Sequence, residues 1–143
     1  MLFRSEDRAA STQNIIKHYR ALIGMIDRGH ELPPTYSMAL GALRLGDVGA
    51  AFSPGENLTL TGLRVRGRSP FVHTLVCGDT NGLFGYIGPD EEIHRGGAET
   101  DYHWRCAPHA GKFRLPLANG SAQCVTDTLC ELLHQVWDGH HNR

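Results

Sequence analysis

Apolar side chains recur at helical spacing near the start of the chain, at Ile15, Ile16, Tyr19, Leu22, Ile23 and Ile26, and Gly29 closes the pattern. The spacing predicts an amphipathic helix over about residues 12–28. Pro33-Pro34 cannot continue a helix and begin a short connection. Residues 36–45 (YSMALGALRL) and 48–53 (VGAAFS) read as two strands, with Gly46-Asp47 as a tight hairpin turn between them. Small residues (Ala39, Gly41, Ala42, Gly49, Ala50, Ala51) dominate this pair, so something must pack very close to it. Asn57 is placed to cap a helix over residues 58–67, which would end near Gly67 and Pro70. The run FVHTLVC, residues 71–77, is β-branched and apolar and predicts a buried strand. GDTNGLFGYIGP follows as a glycine-rich loop, and residues 93–120 hold no sustained period and read as a long irregular loop. Ala122, Val125, Leu129, Leu132, Leu133 and Val136 mark a C-terminal helix, with Ser121 as its cap and Gly139 just past its end. The order is helix, hairpin, helix, strand, long loop, helix. It predicts an α/β fold, a mixed sheet with flanking helices.

A chain of 143 residues is one domain or a piece of one. At this length it can bury roughly two-thirds of its unfolded surface, enough for a core without staples. Its net charge of −1 carries no electrostatic footprint for nucleic acid or an acidic membrane. The cluster Arg64, Arg66 and Arg68 reads as a local solvated group. The four cysteines (Cys77, Cys106, Cys124, Cys130) form no CxxC pair, which excludes a zinc ribbon and a thioredoxin motif. Cys124 and Cys130 read as small core hydrophobes. No segment approaches the ~18 apolar residues of a membrane span, and MLFRSEDRAA lacks the apolar stretch of a signal peptide. The sequons at Asn57 and Asn119 are common by chance.

Two groups of residues could carry chemistry. Glu56 leaves the end of the strand finishing near Ser53, and Tyr86 lies in the loop leaving the strand that ends near Cys77. Ligands of α/β folds gather at the carboxyl ends of strands, so both side chains could reach one spot. A carboxylate suits zinc or a harder cation, and a phenol adds an oxygen ligand or a hydrogen-bond donor. Turn chemistry explains the same residues without a ligand: a glutamate favours a helix N-terminus, and a tyrosine can fill a loop. The second group is His103, Cys106 and His109, a His-x2-Cys-x2-His series whose three donors could meet on one ion. Its spacing matches no common structural zinc pattern, and no fourth ligand is evident. There is no GxSxG elbow, P-loop or GxGxxG fingerprint.

The series LRLGDVGAAFSPGE (43–56), RSPFVHTLV (68–76), NGLFGYIGPDEE (81–92) and GGAE (96–99) resembles, in order and with similar spacing, the neutral/alkaline non-lysosomal ceramidase family. The resemblance covers about residues 36–137 and corresponds to the C-terminal part of that family's catalytic domain. It implies a zinc-dependent amidohydrolase that cleaves the N-acyl bond of ceramide or a related lipid. It also implies metal ligation by Glu56, within Pro54-Gly55-Glu56, and by Tyr86, within Gly85-Tyr86-Ile87. Tyr86 would further donate to the developing oxyanion. On that reading the small-residue hairpin lets the backbone approach the site. The family's two histidine ligands come from regions upstream that this chain does not contain, and none of its nine histidines sits in a matching motif. Ala98 stands where the family has a tyrosine that frames the substrate.

The resemblance therefore implies an incomplete portion of a larger catalytic domain, with the missing N-terminal portion as a partner and a ceramide-like lipid amide as substrate. The chain alone is expected to be inactive. Relatives of this kind are often secreted, periplasmic or membrane-associated, but no signal for any of these is read here. Two alternatives stay open: a non-catalytic remnant or interaction subunit of the same fold, and a small metal-binding module built on His103, Cys106 and His109.

Overall fold

The computed structural model describes residues 5–31, 35–96, 98–101 and 117–141. The first helix, α1 (Ser5–Asp27), begins well before the predicted start and ends as expected, with Gly29 in the left-handed region just beyond it. Residues 36–40 are not strand. They are extended and alternate, even-numbered side chains half-buried and odd-numbered ones exposed, and lead into β1 (Gly41–Leu45). The hairpin turns at Gly46-Asp47 as predicted, and Gly46 takes the positive φ that such a turn demands. β2 (Val48–Phe52) returns antiparallel to β1, pairing Leu45 with Val48 and Gly41 with Phe52.

A short strand β3 (Gly55–Asn57) and helix α2 (Thr59–Arg68) follow, and the chain returns as β4 (His73–Cys77), parallel to β2. The three-stranded sheet has the order β1-β2-β4. β5 (Gly85–Ile87) lies within the stretch expected to be loop and pairs parallel with β3. Two short helices, α3 (Asp90–Arg95) and α4 (Ala98–Asp101), occupy the start of the segment predicted to be irregular. The C-terminal helix α5 (Ser121–His141) begins as predicted and continues through Gly139, which was expected to stop it. The fold is α/β, a mixed sheet with helices, as predicted.

The helices cover one face of the three-stranded sheet. α5 packs across β1 and β2, and α2 packs on β4 and against α5. The core beneath them is Ala51, Val65, Phe71, Leu129, Cys130 and Leu133. Gly49 is small because the Phe71 ring lies on it: a Cβ there would meet the ring at 2.4 Å. Phe71 also stands edge-on to Trp137 at 4.9 Å, and the Arg44 guanidinium lies over Trp137 at 5.0 Å. The hairpin's small residues thus make room for aromatic rings and for α5. This replaces the expectation that they admit backbone to a metal site. A second cluster, Phe84, Ile87 and Ala122, is joined to the first through Val125.

Three local expectations are corrected. Asn57 does not cap α2: Leu58 holds that position without a side-chain cap, and the Asn57 amide donates to the Ser53 hydroxyl at 2.7 Å instead. β4 is an edge strand rather than a buried one, because no strand pairs on its far side among the described residues and Leu75 faces out. Cys130 belongs to the core, but Cys124 is exposed on α5.

Candidate functional site

Backbone hydrogen bonds fix the path from β2 into β3. Buried Ser53 donates its N–H to the Cys77 carbonyl at 3.1 Å and accepts from the Thr80 N–H at 2.9 Å. The Pro54 carbonyl accepts from Phe84 at 2.7 Å, and the Gly55 carbonyl accepts from Asp79 at 3.2 Å. The segment 53–55 is therefore stitched to the chain leaving β4. Two glycines permit that approach. A Cβ on Gly78 would meet the Gly55 carbonyl oxygen at 2.8 Å, and a Cβ on Gly55 would meet Ile87 Cδ1 at 2.2 Å. Asp79 and Asn81 take positive φ at 49° and 60°, residue types that tolerate the left-handed region.

This stitching sets the register of the two-stranded sheet: Gly55 opposite Gly85, Glu56 opposite Tyr86, Asn57 opposite Ile87. Register partners lie on the same face, with backbones about 4.8 Å apart. Glu56 and Tyr86 are neighbours on one face, while Gly55 and Ile87 meet on the other. The strands ending at Phe52 and Cys77 are also parallel and paired, with α2 in the crossover between them. Sequence reasoning singled out both side chains as able to reach one spot. It placed both residues in connecting segments, whereas each sits at the centre of a three-residue strand.

Glu56 is exposed and Tyr86 is half-buried. A cavity of about 1060 Å³ lies on the Ile87 side of this sheet, between the extended stretch at Tyr36–Leu40 and α5, and its lining includes Met38, Phe84 and Cys124. Glu56 and Tyr86 are not among its lining residues.

Zinc accepts carboxylate and phenolate oxygen, so the donor chemistry of the pair fits that ion. Among the described residues no group of three or more His, Cys, Asp or Glu side chains could hold a metal. The resemblance implies four ligands, of which Glu56 and Tyr86 would be two. His103, Cys106 and His109 lie outside the described residues. Ala98 opens α4, whose Thr100 methyl group closes on Gly88.

Sequence reading missed the polar links that hold this end of the molecule. Asp90, at the start of α3, accepts from the backbone N–H of Gly120 (2.9 Å), Ala122 (3.3 Å) and Gln123 (3.2 Å), capping α5 from a distant part of the chain. Two arginines read as solvated are paired. Arg64 bridges to Glu91, and Arg68 meets Asp127 at 2.5 Å. The hydrogen bond from Arg64 holds the Glu91 carboxyl below its ordinary range, and that from Arg68 does the same for Asp127. The acidic run Asp90-Glu91-Glu92 signals a helix start, but no sequence signal names its partners.

A scan of protein-family models, a search of curated proteins and a search of solved structures each found no match to this chain.

Proposed function

We propose that this chain supplies part of the catalytic domain of a zinc-dependent, ceramidase-like amidohydrolase acting on the N-acyl bond of ceramide or a related lipid amide. The observation that carries the reading is the pairing of Glu56 with Tyr86 in one register position of a parallel sheet. Two residues distant in sequence, each implied as a ligand by the resemblance, stand side by side. Zinc, when bound, supplies a polarised carbonyl and a water acidic enough to attack at neutral pH. Glu56 would hold the ion and reduce its charge. Tyr86 would be a second ligand and a hydrogen-bond donor where negative charge develops on the substrate oxygen. Gly55 and Gly78 hold β3 against its neighbours and so fix the spacing of the two donors.

The reading is tested by joining the coding sequence upstream of Met1 to this chain and assaying hydrolysis of a fluorescent N-acyl sphingosine. Zinc-dependent hydrolysis, lost in Glu56→Gln and strongly reduced in Tyr86→Phe, is the expected result. Hydrolysis that survives Glu56→Gln, or none from the extended protein, contradicts it. The 143-residue chain alone should show no zinc-dependent turnover.

The interaction-subunit reading draws on a different observation, the face of the three-stranded sheet that no other element covers among the described residues.

A further inference from the structure

Strand register divides the three-stranded sheet into two unlike faces. Ala42, Gly49, Ala51, Thr74 and Val76 face the helices. The opposite face carries Leu43, Ala50 and Leu75 in one row across the three strands, with Leu45, Val48 and His73 in the next and Gly41, Phe52 and Cys77 in the third. His73 is the only titratable side chain in the first two rows. All-parallel sheets have both faces covered, whereas antiparallel ones commonly leave one open; on this mixed sheet Leu45 is 68% and Leu75 53% exposed, while Ala50 beside Leu75 is buried.

Helix α1 presents the matching problem. Its inner side, Ile15, His18, Leu22 and Met25, is half-buried, as is Tyr19, whose phenol is pushed up by burial first and by nearby Tyr36 second. The outer side is more open: Ile23 and Ile26 are each 56% exposed, and Ile16, two turns before Ile23 on the same line, is 37% exposed, with Ile26 turned about 60° from that line toward Ile15. Among the described residues of one chain the stripe and the open face do not cover each other.

We propose that the open face is covered by α1 of a second copy, in a two-fold dimer where each copy lays its Ile16–Ile23–Ile26 stripe across Leu43, Leu45 and Leu75 of the other. Such a contact is reciprocal, as a two-fold axis requires. The face measures about 14 Å by 17 Å from strand spacing and rise, and α1 at about 34 Å is long enough to cross it. Two helix-on-sheet contacts cover four such patches, a footprint of at most about 1,000 Å² in all, at the lower bound for a specific interface. This inference does not depend on the zinc reading.

Sedimentation velocity or light scattering over a concentration series tests it. The chain should shift from monomer to dimer within a series rising to about 100 µM, and Ile23→Lys and Leu75→Glu should each remain monomeric with unchanged far-UV circular dichroism. A mixture of the two variants should dimerise again, because one contact then pairs Lys with Glu and the other is native. A wild-type chain that stays monomeric overturns the proposal. So does a dimer sensitive to Ile23→Lys but not to Leu75→Glu, which would pair α1 with α1. A mixed sample that fails to reassociate also overturns it.

Discussion

Gly55→Ala tests the contact that holds β3 in register. The new Cβ would stand 2.2 Å from Ile87 Cδ1 and 2.8 Å from Ile87 Cγ1, far inside ordinary contact. Ile87 is only 1% exposed and packed with Phe84 and Ala122, so its side chain has little room to yield. Overpacking of this kind costs about 1–3 kcal/mol. Gly55 is not in the left-handed region, so restricting the unfolded chain returns about 0.4–1 kcal/mol. The net loss should be about 1–2 kcal/mol, read from the shift in urea midpoint at constant slope. Ile87→Ala removes both clashing atoms and alone should cost about 2–5 kcal/mol. In the double variant the two losses should fall short of additivity by about 1 kcal/mol or more, since the clash is gone. Gly62, inside α2 with nothing within 4 Å of its Cβ position, is the control. Gly62→Ala should stabilise by about 0.5–1 kcal/mol. Additive losses at Gly55 and Ile87, or a Gly55→Ala as benign as Gly62→Ala, would refute the packing argument.

Asp90→Ala removes a carboxylate that accepts three backbone N–H groups at the start of α5. It should cost about 0.5–2 kcal/mol in denaturant unfolding, with Asp90→Asn losing less. Leu129→Ala, in the centre of the core, should cost about 2–5 kcal/mol by the same measurement. Asp127 is held below its ordinary value of 3.8 by the Arg68 hydrogen bond first and the Gln123 amide second. The unfolded chain therefore takes up that proton before the folded one. The pair's contribution is complete above the ordinary value and is lost as pH falls through the lowered one. Arg68→Met should flatten this part of the acid limb of stability against pH, by a small amount because the pair is exposed. Cys124 is exposed, whereas burial pushes the Cys130 thiol up. Iodoacetamide should therefore label Cys124 in the folded protein and Cys130 only after unfolding, as peptide mass mapping would show.

Much of the fold was legible where the determinants are local. The period of α1 and α5 and the Gly46-Asp47 turn can each be read from a few neighbouring residues. β3 and β5 could not be read, because three-residue strands hold no period and exist only through their pairing. The burial of β4 was misjudged because FVHTLVC is the same string whether or not anything covers Leu75. Asn57 satisfies the sequence rule for a cap, but Ser53, four residues earlier, takes its amide. Asp90 caps α5 from 30 residues away, and no window of sequence contains both partners. Glu56 and Tyr86 were identifiable as candidates from strand ends and from the resemblance. Their adjacency required the register.

A zinc titration of the purified chain by calorimetry, repeated on Glu56→Gln, Tyr86→Phe and His103→Ala, tests the central claim most directly. Two ligands of four should hold zinc far more weakly than a complete site. The account predicts weak binding of one ion that is lost in Glu56→Gln, reduced in Tyr86→Phe and unchanged in His103→Ala. Binding that survives Glu56→Gln and disappears in His103→Ala would contradict it and move the metal to the His103, Cys106 and His109 series.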